Sequence, residues 1–319
     1  MKNKVLSMLV LLMMAATGAW AQSTYKVTMK EGTEDATNWT ITPTEATTTG
    51  VAKSTQVTAT YSGSKRVKSV KAVKKANPLA TPLTIEALEK GCSITVRNPK
   101  SGMQYSTDGG ETKYDVSGTI TLVHAGDKVQ FYGKTTSYHG TTIGGSGSLK
   151  VYGNIMSLIN ETDFATEYTT LSVKSTFHAL FQGNTSLTDA SGLLLPATTL
   201  TNNCYAHMFY NCTSLVAGPN LPATTLQQSC YTSMFRGCTS LKAGPTLPAT
   251  TLQPACYYNM FYGCTSLTSL TCLATNISDS SCINSWLDGV GESGTLYVDA
   301  SMTGATWNKP DDWTVVAKP

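Results

Sequence analysis

A short phrase of sequence recurs every 26 residues in the C-terminal half of the chain. Leu-Pro-Ala-Thr-Thr-Leu begins at Leu195, Leu221 and Leu247, and each copy is followed by cysteines that keep the same step. A period of this length lies within the range of leucine-rich repeats and below that of tetratricopeptide and ankyrin repeats. Because a unit of this size cannot bury its apolar face alone, we expect the repeats to stack and to share one core.

The segment between the two cysteines of each unit predicts a short helix followed by a brief strand. At about 100° per residue, one face collects the apolar side chains Cys204, Tyr205, Met208, Phe209 and Cys212. The alternating residues that follow indicate a strand with one face on the core. The predicted fold class is therefore α+β, with a C-terminal right-handed leucine-rich-repeat solenoid of 26-residue repeats preceded by small all-β domains.

Composition and turn residues divide the chain into four segments. Residues 1–21 begin with two lysines, continue with an apolar run too short for a membrane span and end in Ala-Trp-Ala, which predicts a cleavable signal peptide. Residues 22–76 are predicted to form a small β-rich module, 77–153 a β-sandwich-like domain, and 154–319 the repeat domain with its C-terminal cap. We therefore expect a secreted or cell-surface protein that is not transmembrane after signal cleavage.

The repeat cysteines could form disulfides, bind a metal, act as nucleophiles or pack in the core. Within a helix the two cysteines of one unit would lie about 12 Å apart, beyond the roughly 7 Å that a disulfide allows. Equivalent cysteines on packed helices would lie about 8–10 Å apart, and no short Cys-x-x-Cys spacing indicates zinc. We expect a structural ladder of buried thiols, with disulfide pairing, which secretion favours, as the alternative. The ladder residues are Cys204, Cys230, Cys256 and Cys282, together with Cys212, Cys238 and Cys264.

The charge balance and the histidines argue against several classes of function. The formal net charge is +3, and two of the lysines belong to the predicted signal peptide, which leaves little attraction for nucleic acid. The four histidines occur in different contexts, and none lies in a metalloprotease motif, a nucleophile elbow or a phosphate-binding loop. We expect no enzymatic activity, no cofactor, no metal site and no nucleic-acid partner.

The recurring Cys-Tyr-x-x-Met-Phe-x-x-Cys-Thr-Ser-Leu resembles the BspA-like leucine-rich repeats of surface and secreted proteins of gut and oral anaerobes, over about residues 171–290. Residues 39–73 resemble a divergent internalin-type B-repeat module, and residues 98–133 look like the β-sandwich segment that often precedes such repeats. The resemblance implies a secreted or cell-surface protein, and founding members of the family act as adhesins for host proteins. It carries no binding residue to this chain, because the activity has no residue motif.

Two sets of residues are predicted to face a ligand. Outward positions of the strands form the first set, and the solvent face of the helices forms the second, where tyrosine and arginine are typical of protein interfaces. The first set is Val216, Asn220, Lys242 and Thr246, and the second is Tyr210, Arg236 and Tyr262. The predicted function is adhesion or protein-ligand binding by a non-enzymatic protein whose partner is a host or matrix protein, or a glycan. A carbohydrate-binding accessory protein and a structural spacer that displays other domains are the alternatives.

Overall fold

The computed structural model describes residues 79–165, 170–278 and 281–319, together with the backbone of Pro78 and of short strands between residues 6 and 74. The chain divides into two units, Met1–Ala80 and Thr81–Pro319. Most of the predicted signal peptide lies outside the described residues.

Antiparallel strands make up the described backbone between residues 6 and 74 of the first unit. Strand β6 lies between β1 and β4, and β2 pairs with β3, β5 and β7. Six of these strands, β2 to β7, fall within the predicted module 22–76. The bounds are Leu6–Val10 (β1), Thr24–Glu31 (β2), Glu34–Asp35 (β3), Trp39–Thr42 (β4), Val51–Ala52 (β5), Val57–Tyr61 (β6) and Ser69–Lys74 (β7).

The second unit begins with two packed sheets. Their strands are Leu83–Ala87 (β8), Cys92–Arg97 (β9), Gln104–Ser106 (β10), Tyr114–Asp115 (β11), Thr119–Leu122 (β12), Lys128–Tyr132 (β13), Thr142–Ser146 (β14), Leu149–Asn154 (β15) and Leu187–Leu194 (β16). One sheet has the order β11-β10-β13-β8-β15-β16, and the other has the order β12-β9-β14. The alternation of buried and more exposed residues along β9 is that of a strand with one face on the core.

The sheets and the repeats share one continuous core. The sheet strand β15 pairs in parallel with β16, which already belongs to the first repeat. A single cluster of buried side chains extends from Leu83 to Trp313. The boundary predicted between residues 153 and 154 therefore falls within β15, at a point where the sheet continues into the repeats.

Runs of consecutive turns occupy the positions of the predicted helices. Among the described residues the structure has no α-helix, and its helical segments are the short 3-10 helices Pro78–Ala80, Ile155–Leu158 and Ala300–Met302. The predicted α+β class and the predicted right-handed leucine-rich-repeat solenoid, whose repeats carry helices, are therefore wrong. The described architecture consists almost entirely of strands and turns. We call the turn runs coils 1 to 5, and they span residues 174–183, 202–211, 228–237, 254–263 and 281–289.

Backbone hydrogen bonds within and between the coils alternate along each run. The Tyr205 N–H donates to the Cys230 carbonyl of the next coil at 3.0 Å, whereas the Ala206 N–H donates back to the Asn203 carbonyl at 3.2 Å. This alternation recurs along coils 1 to 4, so that every second N–H group joins two coils. Coils bonded in this way are spaced like paired strands, about 4.8 Å apart, rather than like packed helices.

Residues with positive φ recur at every fourth position of the turn runs. In coil 2 these are Asn203, His207 and Asn211, with φ between 56° and 57°. The position of Asn211 is taken by Gly237 in coil 3, with φ of 74°. Each such residue reverses the direction of the chain and prevents a helix from continuing, and asparagine and glycine tolerate this conformation best.

A four-residue period explains why the apolar pattern predicted a helix. Over nine residues a period of four buries almost the same positions as the helical period of 3.6. Each residue predicted on the buried face is indeed buried: Cys204, Tyr205, Met208, Phe209 and Cys212. The apolar pattern thus identified the inward side chains correctly while the backbone that carries them was predicted wrongly.

Aromatic rings form two columns through the core. The first column has ring centroids between 5.7 and 6.4 Å apart and consists of Tyr138, Phe177, Tyr205, Tyr231, Tyr257, Trp286 and Trp307. The second, at 5.4 to 5.5 Å, consists of Phe181, Phe209, Phe235 and Phe261. Because the first column begins at Tyr138, in the loop between β13 and β14, and ends beyond coil 5, both ends of the coil stack are covered by aromatic side chains.

A parallel sheet closes the C-terminal side of the second unit. Its strands are Ala243–Leu247 (β17), Ser269–Cys272 (β18), Gly294–Val298 (β19) and Trp313–Ala317 (β20), in that order. Strand β17 lies between coils 3 and 4, and β18 lies between coils 4 and 5. In the described part of the chain, no helix has the length and apolar character needed to span a membrane.

Candidate functional site

The predicted cysteine ladders lie inside the coil stack. All nine cysteines belong to the described residues, where each is buried and none is in a disulfide. In the second ladder, each thiol donates to a phenylalanine carbonyl of the preceding coil. The three bonds, each 3.0 Å long, are Cys212 to Phe181, Cys238 to Phe209 and Cys264 to Phe235. These thiols join neighbouring coils and occupy the interior of the stack.

Burial keeps these thiols protonated. Desolvation raises the pKa values of Cys204, Cys212 and Cys264 to about 12. Since the thiolate is the form that attacks electrophiles and binds metals, a buried neutral thiol has neither reactivity. Within the described residues, no three or more metal-binding side chains come together in a group that could hold an ion.

The distance argument against disulfides between neighbouring repeats does not hold in this backbone. It assumed packed helices, whereas hydrogen-bonded coils approach to about 4.8 Å, within the Cα range of a disulfide. The structure nevertheless has the ladder sulfurs as thiols.

The first predicted ligand-facing set is exposed on the strand side of the coils. Asn220, Lys242 and Thr246 are exposed, and 42% of Val216 is accessible. Val216 and Lys242 lie at equivalent positions of neighbouring repeats, after coils 2 and 3, where the Lys242 N–H donates to the Val216 carbonyl at 3.4 Å. A polar side chain beside an isolated valine is an ordinary solvent-facing arrangement.

The second predicted set forms one contiguous row on the turn side. The Arg236 guanidinium carbon lies 4.5 Å from the centre of the Tyr262 ring and 5.8 Å from the centre of the Tyr210 ring. Tyr262, Arg236 and Tyr210 belong to coils 4, 3 and 2, respectively. Backbone hydrogen bonds between the coils fix the register of these residues. Tyr262 is exposed, whereas Tyr210 and Arg236 are half-buried. The structure thus places an arginine between two tyrosine rings at the surface.

Histidines extend this row toward the sheets. The His207 ring lies 5.6 Å from the Tyr210 ring and 5.2 Å from the His178 ring, which lies 5.0 Å from that of His139. Burial, and then the charge of Arg236, lower the pKa of His207 below its usual value. His207 is therefore neutral at pH 7, and the positive charge of this part of the row is carried by Arg236.

Sequence reasoning did not identify the histidine row. Two of its members, His178 and His207, are not separated by the 26-residue period, and His139 precedes the repeats. Tyr258 was also missed. It is exposed in coil 4, four residues before Tyr262 and at the same phase of the turn repeat. The four-residue turn period would have revealed that tyrosine, and no signal in the sequence places the histidines side by side.

In the described part of the chain, two buried tyrosine hydroxyls have no hydrogen-bond partner. The hydroxyl oxygens of Tyr205 and Tyr231 are both inaccessible, and their rings stack at 5.7 Å in the first aromatic column. Leaving a buried polar group unpaired costs about 1–3 kcal/mol. These tyrosines therefore stabilise the column through the packing of their rings and not through their hydroxyl groups.

A shallow cleft provides a second surface feature of the coil stack. It has a volume of about 440 Å³ and lies at the start of coils 1 and 2 and just before coil 3. It is lined by Ser172, Lys174, Leu200, Thr201, Asn202 and Gln227. The lining contains no aromatic ring on which a sugar could stack, and the tyrosine row lies outside it.

Comparison with known proteins gave no match: no family model fits the chain, and no curated protein or solved structure is significantly similar to it.

Proposed function

We propose that this chain is a non-enzymatic binding protein that recognises another protein through the turn side of its coil stack. The observation that carries the proposal is the surface row Tyr210–Arg236–Tyr262, in which the coils hold three large side chains in contact. Tyrosine and arginine are enriched at protein interfaces and among the residues that contribute most to affinity.

The backbone beneath the row supports this function. Every second N–H group of coils 2 and 3 donates to the next coil, so the row is mounted on a hydrogen-bonded scaffold. Side chains that are already ordered lose less conformational entropy on binding than free side chains do, which favours affinity. The neutral, buried thiols offer no chemistry to a substrate, which is consistent with binding rather than catalysis.

Export and surface location complete the proposal. The basic and apolar segment 1–21 followed by Ala-Trp-Ala, and the resemblance of the repeats to BspA-like surface proteins, are its support. Expression of the full-length gene, fractionation and N-terminal sequencing of the mature chain test it. A chain that keeps residues 1–21 and stays in the cytosol would contradict an exported protein.

Arrays of purified matrix proteins and of glycans, probed with the full chain, test the binding function. We expect a protein spot to be bound and the Tyr262→Ala variant to lose most of the binding, since this exposed side chain can be removed without opening the core. Tyr114→Ala is the matched control, because Tyr114 is 51% exposed and lies on β11, outside the row. Binding to glycans alone would refute the proposal. The absence of binding to either array would also refute it and would favour a structural spacer.

A further inference from the structure

We propose that Arg236 is a receptor for a carboxylate, and that the protein partner contributes an aspartate or glutamate side chain from an acidic segment. This inference rests on the proposed function, since it assigns the chemistry that the Tyr210–Arg236–Tyr262 row would recognise.

The first argument is geometric. Rings from the neighbouring coils lie on both sides of the Arg236 guanidinium along the stack, at 5.8 and 4.5 Å. A guanidinium that lies over aromatic rings keeps its N–H donors at its edge, and that edge matches the two oxygens of a carboxylate. The rings restrict the motion of a long side chain, so that less freedom remains to be lost when an anion binds.

The second argument is that the charge of Arg236 has no counter-ion among the described residues. The ion pairs of the described residues involve Lys113, His124, Lys128, Lys134 and Lys150, and none includes Arg236. Asp288 occupies the equivalent position in coil 5, beyond Tyr262, and makes no ion pair with the guanidinium. A half-buried guanidinium without a carboxylate partner leaves its strongest kind of hydrogen bond to be made by a ligand.

The third argument concerns the surroundings of the charge. His207, whose ring lies against that of Tyr210, is neutral at pH 7 because burial and the charge of Arg236 lower its pKa. On the other side, Tyr262 is 39% exposed and provides aromatic surface beside the charge, and the same coil also exposes Tyr258. One cation flanked by large aromatic residues is typical of the centre of a protein interface rather than of an extended polyanion site.

Fluorescence anisotropy with a labelled glutamate-rich peptide tests the inference. The full chain is titrated against this peptide and against the same peptide with glutamine in place of each glutamate. We expect the acidic peptide alone to bind, and Arg236→Gln to weaken its binding by about tenfold or more, since the substitution removes charge-assisted hydrogen bonds to the carboxylate. Arg236→Lys keeps the charge but loses the planar edge, and we expect it to recover only part of the affinity.

A matched control and a competing polymer make the outcome decisive. Arg97→Gln removes an equal charge from an exposed position on β9, far along the chain from the coils, and should leave the affinity within about twofold. Equal binding by the Arg236→Gln and wild-type chains, or equal binding of both peptides, would overturn the inference. Binding of polygalacturonate that depends on Arg236, without binding of the acidic peptide, would also overturn it, since the carboxylate would then come from a glycan.

The two proposals fail in different ways. If a protein on the matrix array binds and Tyr262→Ala abolishes that binding while the acidic peptide does not bind, the docking row stands and the carboxylate receptor is wrong. If neither the array nor the peptide binds, the docking row itself is wrong.

Discussion

Replacing Gly263 with alanine distinguishes the turn-built coil from a helix by the sign of its effect. Gly263 has φ of 72°, and a Cβ there would meet only Gly237 backbone atoms at 3.9 and 4.0 Å, which is ordinary contact. The cost is therefore conformational, about 1–2 kcal/mol for an L-residue in the left-handed region. Reduced freedom of the unfolded chain returns about 0.4–1 kcal/mol. The net expectation is a loss of about 1 kcal/mol in the free energy of unfolding.

A helical repeat gives the opposite expectation. In a helix that continues through position 263, replacing glycine with alanine raises stability by about 1 kcal/mol. Urea unfolding of the full chain, followed by the fluorescence of the buried Trp286 and Trp313, measures the difference. In a domain of this size, a loss of about 1 kcal/mol corresponds to a decrease of about 2–4 °C in the melting temperature.

Two control variants isolate the effect of the backbone. Gly263→Asn should lose less stability than Gly263→Ala, because Asn211 occupies the equivalent position in coil 2 with φ of 56°. Gly304→Ala should be neutral or slightly stabilising, since Gly304 has no positive φ and a Cβ added there would meet no atom within 4 Å. A Gly263→Ala chain as stable as the wild type, or more stable, would refute the turn-built coil.

Three further predictions concern buried polar groups. Burial, then the charges of His207 and His139, lower the pKa of His178 to about 4; the unfolded chain therefore takes up a proton between pH 6.5 and 4 that the folded chain does not. The free energy of unfolding should fall by about 1–2 kcal/mol over that range, and urea titrations should show a smaller fall for His178→Gln. Tyr205→Phe should be neutral or stabilising by up to about 1 kcal/mol in the same assay, and a loss above about 1 kcal/mol would indicate a hydroxyl partner. A thiol reagent should react with the native chain only as it unfolds, and rapid native labelling of Cys238 would contradict its burial.

The sequence predicts the inward side chains of the repeats better than their backbone. Cys204 and Phe209 are buried as the apolar pattern predicts, because a packed core requires apolar side chains at its inward positions whether the backbone is a helix or a run of turns. The helix was wrong because nine residues cannot separate a period of 3.6 from a period of four. Glycine or asparagine directly before the second ladder cysteine, as at Asn211 and Gly237, was the signal for a left-handed residue.

The candidate site could be predicted only where it follows the repeat. Tyr210, Arg236 and Tyr262 are 26 residues apart, so any stacking at this period brings them together, and the structure places them in contact. The contact between His178 and His139 depends on how the sheets meet coil 1, which the local sequence does not encode. Long-range packing of this kind becomes visible only in three dimensions.

The hydrogen bonds that join the coils give the stack an electrical direction. In coils 1 to 4 the bridging N–H groups donate toward the next coil, as from Tyr205 to Cys230. Strand β14 donates to coil 1 in the same sense, from Ile143 to Leu180. The peptide dipoles on these bonds therefore add along the turn side of the stack, as they do along an α-helix, whereas on the strand side the Lys242 N–H donates in the opposite sense, to the Val216 carbonyl. Their positive end lies at coil 5 and their negative end at the sheets, so each added repeat would extend a polarity that runs opposite to that of a helix along the chain.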